Sequence, residues 1–194
     1  VWGYKLLILS AAIIWGLKAL NDKKDRSASK EIFTAQKYFE KESYEAALTG
    51  DGNYMGFTEV YDAYKSTKTG KLAAYYAGIS NMKLGKYEEA IDYLKKFDGK
   101  DEIFAPMALG AIGDCYMELD DINNAASYYE KAASKSKNDF TGPMFLTKAG
   151  MTYEILGDYA KALNCYKTLK ADYPMSNEAF EISKNIANME EKLK

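Results

Sequence analysis

The chain has 194 residues, of which 28% are charged and 47% are hydrophobic, and its net charge is −2. This size and composition are typical of one repeat array with a short appendage. The chain contains no histidine, which excludes Ser-His and Cys-His dyads and His-ligated metal sites. Residues 27–194 carry 21 basic and 26 acidic side chains, and this acidic balance argues against a nucleic-acid partner.

Residues 1–20 are expected to form a transmembrane helix. Leu6 to Leu17 is an apolar run in which Ser10 is the only polar residue, and twenty helical residues span about the hydrocarbon core of a bilayer. Lys5 and Lys18 stand near the two ends, where they can reach lipid headgroups. The residues expected to anchor the chain in the membrane are Leu6, Leu7, Ile8, Leu9, Ile13, Ile14 and Trp15.

Two other interpretations of this run are open. A cleaved signal peptide needs a small-residue cleavage site after the apolar run, and residues 17–20 form a poor one. A buried first helix of an array would not be apolar on all sides. We therefore expect an anchor that contacts membrane lipid through residues 1–20. The basic residues that follow the run favour a cytoplasmic location for the rest of the chain.

Residues 21–30 are polar and charged without apolar periodicity, which predicts a juxtamembrane linker or a solvated helical extension. Residues 31–194 are expected to form one all-α domain. Its first helix covers residues 28–41, and a partner helix begins near Ser43. Residues 49–53 then interrupt the pattern, so we expect an insertion that lies in a loop.

The insertion contains a string that resembles a metal-binding loop. Asp51, Asn53, Gly56 and Asp62 fall at positions 1, 3, 6 and 12 of a calcium loop. Met55 takes position 5, where an oxygen ligand is needed, so a turn followed by a helix cap explains the string better. The sequence predicts no metal, no cofactor and no catalytic residue, and we expect a protein that is not an enzyme.

A motif of small and aromatic residues recurs along the chain. Its clearest copy runs from Ala149 to Pro174, where Gly150 and Ala162 allow close helix contacts and Gly157 occupies a turn that favours positive φ. Copies of the same skeleton lie 37 residues upstream and a further 35 residues upstream, and residues 35–47 hold a looser copy. Three copies in register at a near-constant period predict stacked helix pairs.

This pattern resembles the tetratricopeptide repeat (TPR) family over residues 28–194. The resemblance implies an all-α solenoid of helix hairpins, with one loose repeat, three regular repeats and a C-terminal capping helix that Ser176 begins. In such arrays the first helices line an inner groove that binds a protein segment. The apolar residues that the family register places in this groove are Leu72, Tyr75, Ile79, Met82, Met107, Met117, Met144, Met151 and Ile155. The other register positions hold Lys83, Gly110, Asp114, Glu118, Thr147 and Glu154.

Methionine dominates the register positions of the groove, which hold five of the eight methionines in the chain. Flexible thioethers suit a surface that accepts varied apolar partners. Alternative occupants of the groove are the C-terminal helix of the chain itself and a second copy. Only Lys83 is basic among these positions, so a clamp for C-terminal carboxylates is not expected. Cys115 and Cys165 are expected to be free thiols, with Cys165 at the more exposed position; the alternative is a disulfide between them.

The order of an apolar run, a loose repeat and regular repeats is similar to YfgM-type ancillary subunits of the bacterial Sec translocon. Residues 44–77 also resemble TPR proteins of Bacteroidota bacteria. The first resemblance implies a single-pass protein of the bacterial inner membrane with periplasmic repeats, against the charge balance around the run. It implies an adaptor that binds translocon subunits, a membrane-tethered periplasmic chaperone or secreted polypeptides. The alternative is a structural scaffold subunit of another envelope or secretion complex.

Overall fold

The computed structural model describes the backbone of residues 2–135 and 137–194, and the side chains of residues 10–135 and 137–194. Within these residues every regular element is an α-helix, so the predicted all-α class is confirmed. The chain divides into two compact units, one that ends at Leu84 and one that comprises Gly85–Lys194.

The helices of the first unit pack around the C-terminal half of a long first helix. Ala28, Ile32 and Ala35 of that helix are buried, at the three- and four-residue spacing of one helical face. This face packs against the three helices that follow it. The helices described in this unit are α1 (Trp2–Glu40), α2 (Tyr44–Thr49), α3 (Phe57–Tyr64) and α4 (Lys68–Lys83).

Helix α1 contradicts the expected transmembrane segment. The apolar run opens a helix of 39 residues that continues without a break through residues 21–30. Six charged side chains fall between residues 18 and 26 of this helix. Over the residues that the structure describes, no helix has a stretch both long enough and apolar enough to cross a membrane. This finding contradicts the predicted anchor and the predicted single-pass location in a bacterial inner membrane.

The expected anchor residues are only partly described. Ile13, Ile14 and Trp15 lie on α1 with 54%, 67% and 74% of their surface exposed. The side chains of Leu6, Leu7, Ile8 and Leu9 lie outside the described residues.

The predicted insertion is the loop of residues 50–56 between α2 and α3. The carboxylate of Asp51 holds this loop in place through three hydrogen bonds. Asp51 Oδ1 accepts the backbone N–H of Asn53 and of Tyr54, each at 2.9 Å. Asp51 Oδ2 accepts the hydroxyl of Tyr38 at 2.6 Å. Asp51 therefore forms an Asx turn, as the turn-and-cap interpretation of this string predicts.

The second unit consists of helix hairpins stacked side by side. Each helix from α5 to α9 packs against the next, and α6 also contacts α8. These contacts are the ones that a solenoid of helix pairs requires. The helices described in this unit are α5 (Tyr87–Lys96), α6 (Phe104–Glu118), α7 (Ile122–Lys135), α8 (Thr141–Ile155), α9 (Tyr159–Asp172), α10 (Asn177–Glu181) and α11 (Ser183–Lys192).

Two glycines of the clearest repeat have the roles that the sequence predicts. A Cβ atom at Gly150 would lie 2.8 Å from Cδ1 of Tyr166, so the close contact between α8 and α9 excludes a side chain. Gly157 has φ +72° in the turn that joins these helices. Asp120, which takes the equivalent place in the preceding repeat, also adopts a positive φ of 56°.

The predicted capping helix is divided into α10 and α11. The division falls at Ile182, whose side chain is 3% exposed and joins the core. Ser176 caps α10 as predicted, because its Oγ accepts the N–H of Ala179 at 3.2 Å. Both helices pack against α9, where Met189 of α11 is fully buried. They therefore extend the stack beyond the last repeat.

Candidate protein-binding site

The predicted groove residues are divided between the two units. Leu72, Tyr75, Ile79 and Met82 lie on α4 of the first unit. Tyr75 is only 9% exposed and its ring lies edge-on to Tyr76, with centroids 5.6 Å apart. Tyr75 is therefore largely part of the core, whereas the other three are half-buried.

The other five predicted groove residues lie on α6 and α8 of the second unit. Met107, Met117 and Met144 are half-buried and pack against the core of this unit. Met151 and Ile155 are more open, with 50% and 64% of their surface exposed. The two helices thus carry an apolar surface that becomes more exposed toward the C-terminal end of α8.

An ion pair joins α6 and α8 across this surface. Lys148 Nζ donates to Asp114 Oδ1 at 2.6 Å. Asp114 lies three residues before Met117, while Lys148 lies four after Met144 and three before Met151. Residues at these spacings share one face of a helix, so the pair lies on the same face as the methionines of each helix. We call this surface the α6/α8 face; it comprises Met107, Asp114, Met117, Glu118, Met144, Lys148, Met151, Glu154 and Ile155.

The carboxylate of Asp114 has a second partner on α7. It accepts the hydroxyl of Tyr129 at 2.7 Å, and Lys148 Nζ lies 5.4 Å from the centroid of the Tyr129 ring. Burial, together with the hydrogen bond to Asp114, raises the pKa of the Tyr129 hydroxyl well above its usual range. The Tyr129 hydroxyl therefore stays protonated and donates to Asp114. The negative charge of Asp114 is balanced by Lys148.

The remaining carboxylates of the face bond to neutral donors. Glu118 Oε2 accepts the hydroxyl of Tyr87 at 3.3 Å. Glu154 Oε1 accepts the hydroxyl of Tyr166 and, at 3.3 Å, the side-chain amide of Asn185. Within the described part of the chain, neither carboxylate pairs with a lysine or arginine. The α6/α8 face therefore carries negative charge that no basic side chain among the described residues neutralises.

The family register does not reveal the polar partners within this face. Lys148 falls outside the register positions considered for the groove, although its spacing from Met144 and Met151 could have placed it there. Asn185 could not have been found in this way, because its contact with Glu154 depends on how α11 packs.

The two cysteines are free and buried in the second unit. Cys165 is the more exposed of the two, as predicted, but at 3% against 0% for Cys115 both thiols are buried. Cys165 belongs to the core that α7, α8 and α9 share. Burial raises the pKa of each thiol to about 12. Both are therefore kept as neutral thiols and pack as small apolar residues.

The comparison with protein families identifies the repeats directly. One model of the tetratricopeptide repeat matches residues 108–138 and 145–170, and a second matches residues 72–99. These segments carry tetratricopeptide repeats, as the residue spacing predicts, and the repeats imply protein partners.

A curated relative is similar to part of this chain. The chain is 33% identical over 87 residues to Protein FLUORESCENT IN BLUE LIGHT, chloroplastic, from Arabidopsis thaliana. The similarity covers 42% of this chain and 27% of the relative, so the chain spans about a quarter of that protein. The matches support the repeats, and they give no support to the narrower resemblance to Sec translocon subunits.

Proposed function

We propose that the chain is a protein-binding repeat protein, not an enzyme, and that it binds its partner on the α6/α8 face. The exposed apolar side chains of Met151 and Ile155 carry this proposal. They lie on a first helix of a TPR hairpin, the helix that the family register assigns to the inner groove. Exposed apolar side chains next to a polar rim are typical of interaction sites.

The packing of the C-terminal helices favours an external occupant. Ile182, between α10 and α11, and Met189 of α11 are buried in the core of the unit, and both helices pack against α9. These two apolar side chains are thus already used in the core, while Met151 and Ile155 keep at least half of their surface exposed. This supports a separate partner over the alternative in which the C-terminal helix fills the groove.

The narrower function, an adaptor at the Sec translocon, loses its main support. It depended on a membrane anchor, which the structure contradicts, and on a resemblance that the comparisons do not support. The proposal therefore names a protein partner and no particular secretion component.

Co-purification of the full chain with its partners tests the proposal. Met151→Glu and Ile155→Glu place a charge on the exposed part of the face and should remove the partner. Leu193→Glu is the matched control, because Leu193 is 49% exposed near the end of the chain, and this variant should retain the partner. If the partner stays bound to both face variants, contacts lie elsewhere and the scaffold alternative is correct.

A further inference from the structure

We propose that the segment bound by the α6/α8 face is a basic amphipathic peptide segment, with apolar side chains against Met151 and Ile155 and lysine or arginine beside Glu118 and Glu154. This inference rests on the proposed function and specifies the chemistry of the partner. It follows from the charges that the face leaves unpaired.

The first argument is the electrostatic balance of the face. Lys148 is the basic side chain of the face and is bonded to Asp114 at 2.6 Å. Among the residues with described side chains, Glu118 and Glu154 bond only to neutral hydroxyl and amide groups. An acidic partner would meet two uncompensated carboxylates, whereas a basic partner would neutralise them. Complementary charge of this kind selects among partners and speeds association.

The charge of the whole second unit acts in the same direction. Residues 85–194 carry 14 lysines and 19 Asp or Glu residues, and so a net charge of −5. At low ionic strength such a field reaches beyond contact distance and attracts basic segments. The local and the long-range charge therefore favour the same class of partner.

The second argument is the placement of the carboxylates among the apolar positions. Glu118 directly follows Met117, and Glu154 directly precedes Ile155. A bound segment must therefore present basic and apolar side chains close together, as an amphipathic segment does. The methionines allow the apolar contacts to adjust to different side chains. A free C-terminal carboxylate is a poor fit, because Lys148 is already paired.

Binding of defined peptides to the full chain tests this inference. The probes are three fluorescein-labelled 18-residue peptides with the same leucine pattern and with lysine, glutamine or glutamate at the other positions. Measured by fluorescence anisotropy at low salt, the lysine peptide should bind at least about tenfold more tightly than the glutamine peptide, and the glutamate peptide least tightly. The advantage should shrink at high salt, because ions screen exposed charges.

A matched pair of charge reversals distinguishes the effect of a charge on the α6/α8 face from the effect of the net charge. Glu118→Lys should weaken binding of the lysine peptide several-fold. Glu89→Lys, at an exposed position on α5, changes the net charge equally and should weaken binding clearly less than Glu118→Lys does. Equal losses in both variants would mean attraction by net charge alone and would overturn the inference.

The peptide series and the co-purification experiment can fail separately. If all three peptides bind with equal affinity, the inference that the partner segment is basic is overturned. This holds even if the variants of the α6/α8 face lose their cellular partner. Absence of binding by all three peptides would overturn it as well. The proposed function itself would be contradicted only if the Met151→Glu and Ile155→Glu variants both kept the cellular partner.

Discussion

Gly150 shows how one residue controls the geometry of the face. A Cβ atom there would lie 2.8 Å from Cδ1 of Tyr166, a ring that is fully buried. The hydroxyl of Tyr166 also donates to Glu154 on the α6/α8 face. The ring therefore cannot move away from a larger side chain without disturbing a residue that we assign to partner binding.

We expect Gly150→Ala to destabilise the protein by about 1–3 kcal/mol, because overpacking outweighs the better helix propensity of alanine. Urea unfolding followed by circular dichroism measures this change. Gly16→Ala is the control, since a Cβ at Gly16 on α1 meets nothing within 4 Å. The control should be neutral or slightly stabilising. A stable Gly150→Ala variant would show that α8 and α9 can separate at little cost.

The two buried thiols predict a loss of stability at alkaline pH. Burial raises the pKa of Cys115 and of Cys165 from 9.0 to about 12 in the folded chain. The unfolded thiols ionise first, so this contribution is complete below about pH 9 and is lost as the pH rises toward 12. At pH 10.5 each thiol should lower the free energy of unfolding by about 2 kcal/mol.

Thermal unfolding at pH 8 and pH 10.5 measures this effect. The double variant Cys115→Ala, Cys165→Ala should lose less stability between the two pH values than the parent chain does. Identical losses in the variant and the parent would assign the pH dependence to other groups, such as the buried tyrosines.

At the scale of single residues, the sequence predicted the small and turn positions but not the polar pairs. Gly150 and Gly157 were identifiable because a close helix contact and a positive φ restrict the residue type. The bond between Lys148 and Asp114 was not identifiable from the motif, because many residue types fit a half-exposed helix position. The charge of the face therefore required the structure.

At the scale of elements, helix α9 begins at a side-chain cap. Asp158 Oδ1 accepts the N–H of Lys161 at 3.2 Å, and Asp158 Oδ2 pairs with Lys161 Nζ at 3.0 Å. The hydrogen bond from the Lys161 side chain, and that from its backbone, lower the pKa of Asp158. This cap directly follows Gly157, so the turn and the start of α9 are one local structure.

Asp158→Ala should reduce the free energy of unfolding by about 1 kcal/mol, because the first turn of α9 loses its acceptor. Asp158→Asn is the matched control, since asparagine caps helices about as well as aspartate and removes only the exposed charge. Urea unfolding distinguishes the two variants. Equal stability of the alanine and asparagine variants would mean that the cap contributes nothing measurable.

Helix α1 marks the limit of element prediction from hydropathy. The apolar run in residues 1–20 was interpreted as a separate span, but hydropathy alone does not show where a helix ends. The charged residues 21–30 continue the same helix, and Ala28 and Ile32 tie it to the first unit. The extent of α1 is thus decided by packing beyond the apolar run.

At the scale of the whole molecule, the repeat period predicted the two helix pairs α6/α7 and α8/α9 of the second unit. It could do so because each pair needs the same small and aromatic residues at the same offsets. The division of the chain after Leu84 has no such signal, since the repeat spacing continues across it. The second unit has its own core, formed by residues from α6 to α11.

A fragment of residues 85–194 should therefore fold by itself. We expect helical circular dichroism and one cooperative transition, because the core of this unit is built from its own residues. A fragment that remains unfolded would show that the second unit depends on the residues before it.

The most direct test of the binding face is site-specific photo-crosslinking in cells that express the full chain. A photoreactive residue at Met151 should give a defined protein adduct, which Ile155→Glu removes, while the same residue at Leu193 should give none. This outcome would place a protein partner on the α6/α8 face. Adducts of equal yield at both positions, or an adduct at Met151 that Ile155→Glu leaves intact, would contradict the account.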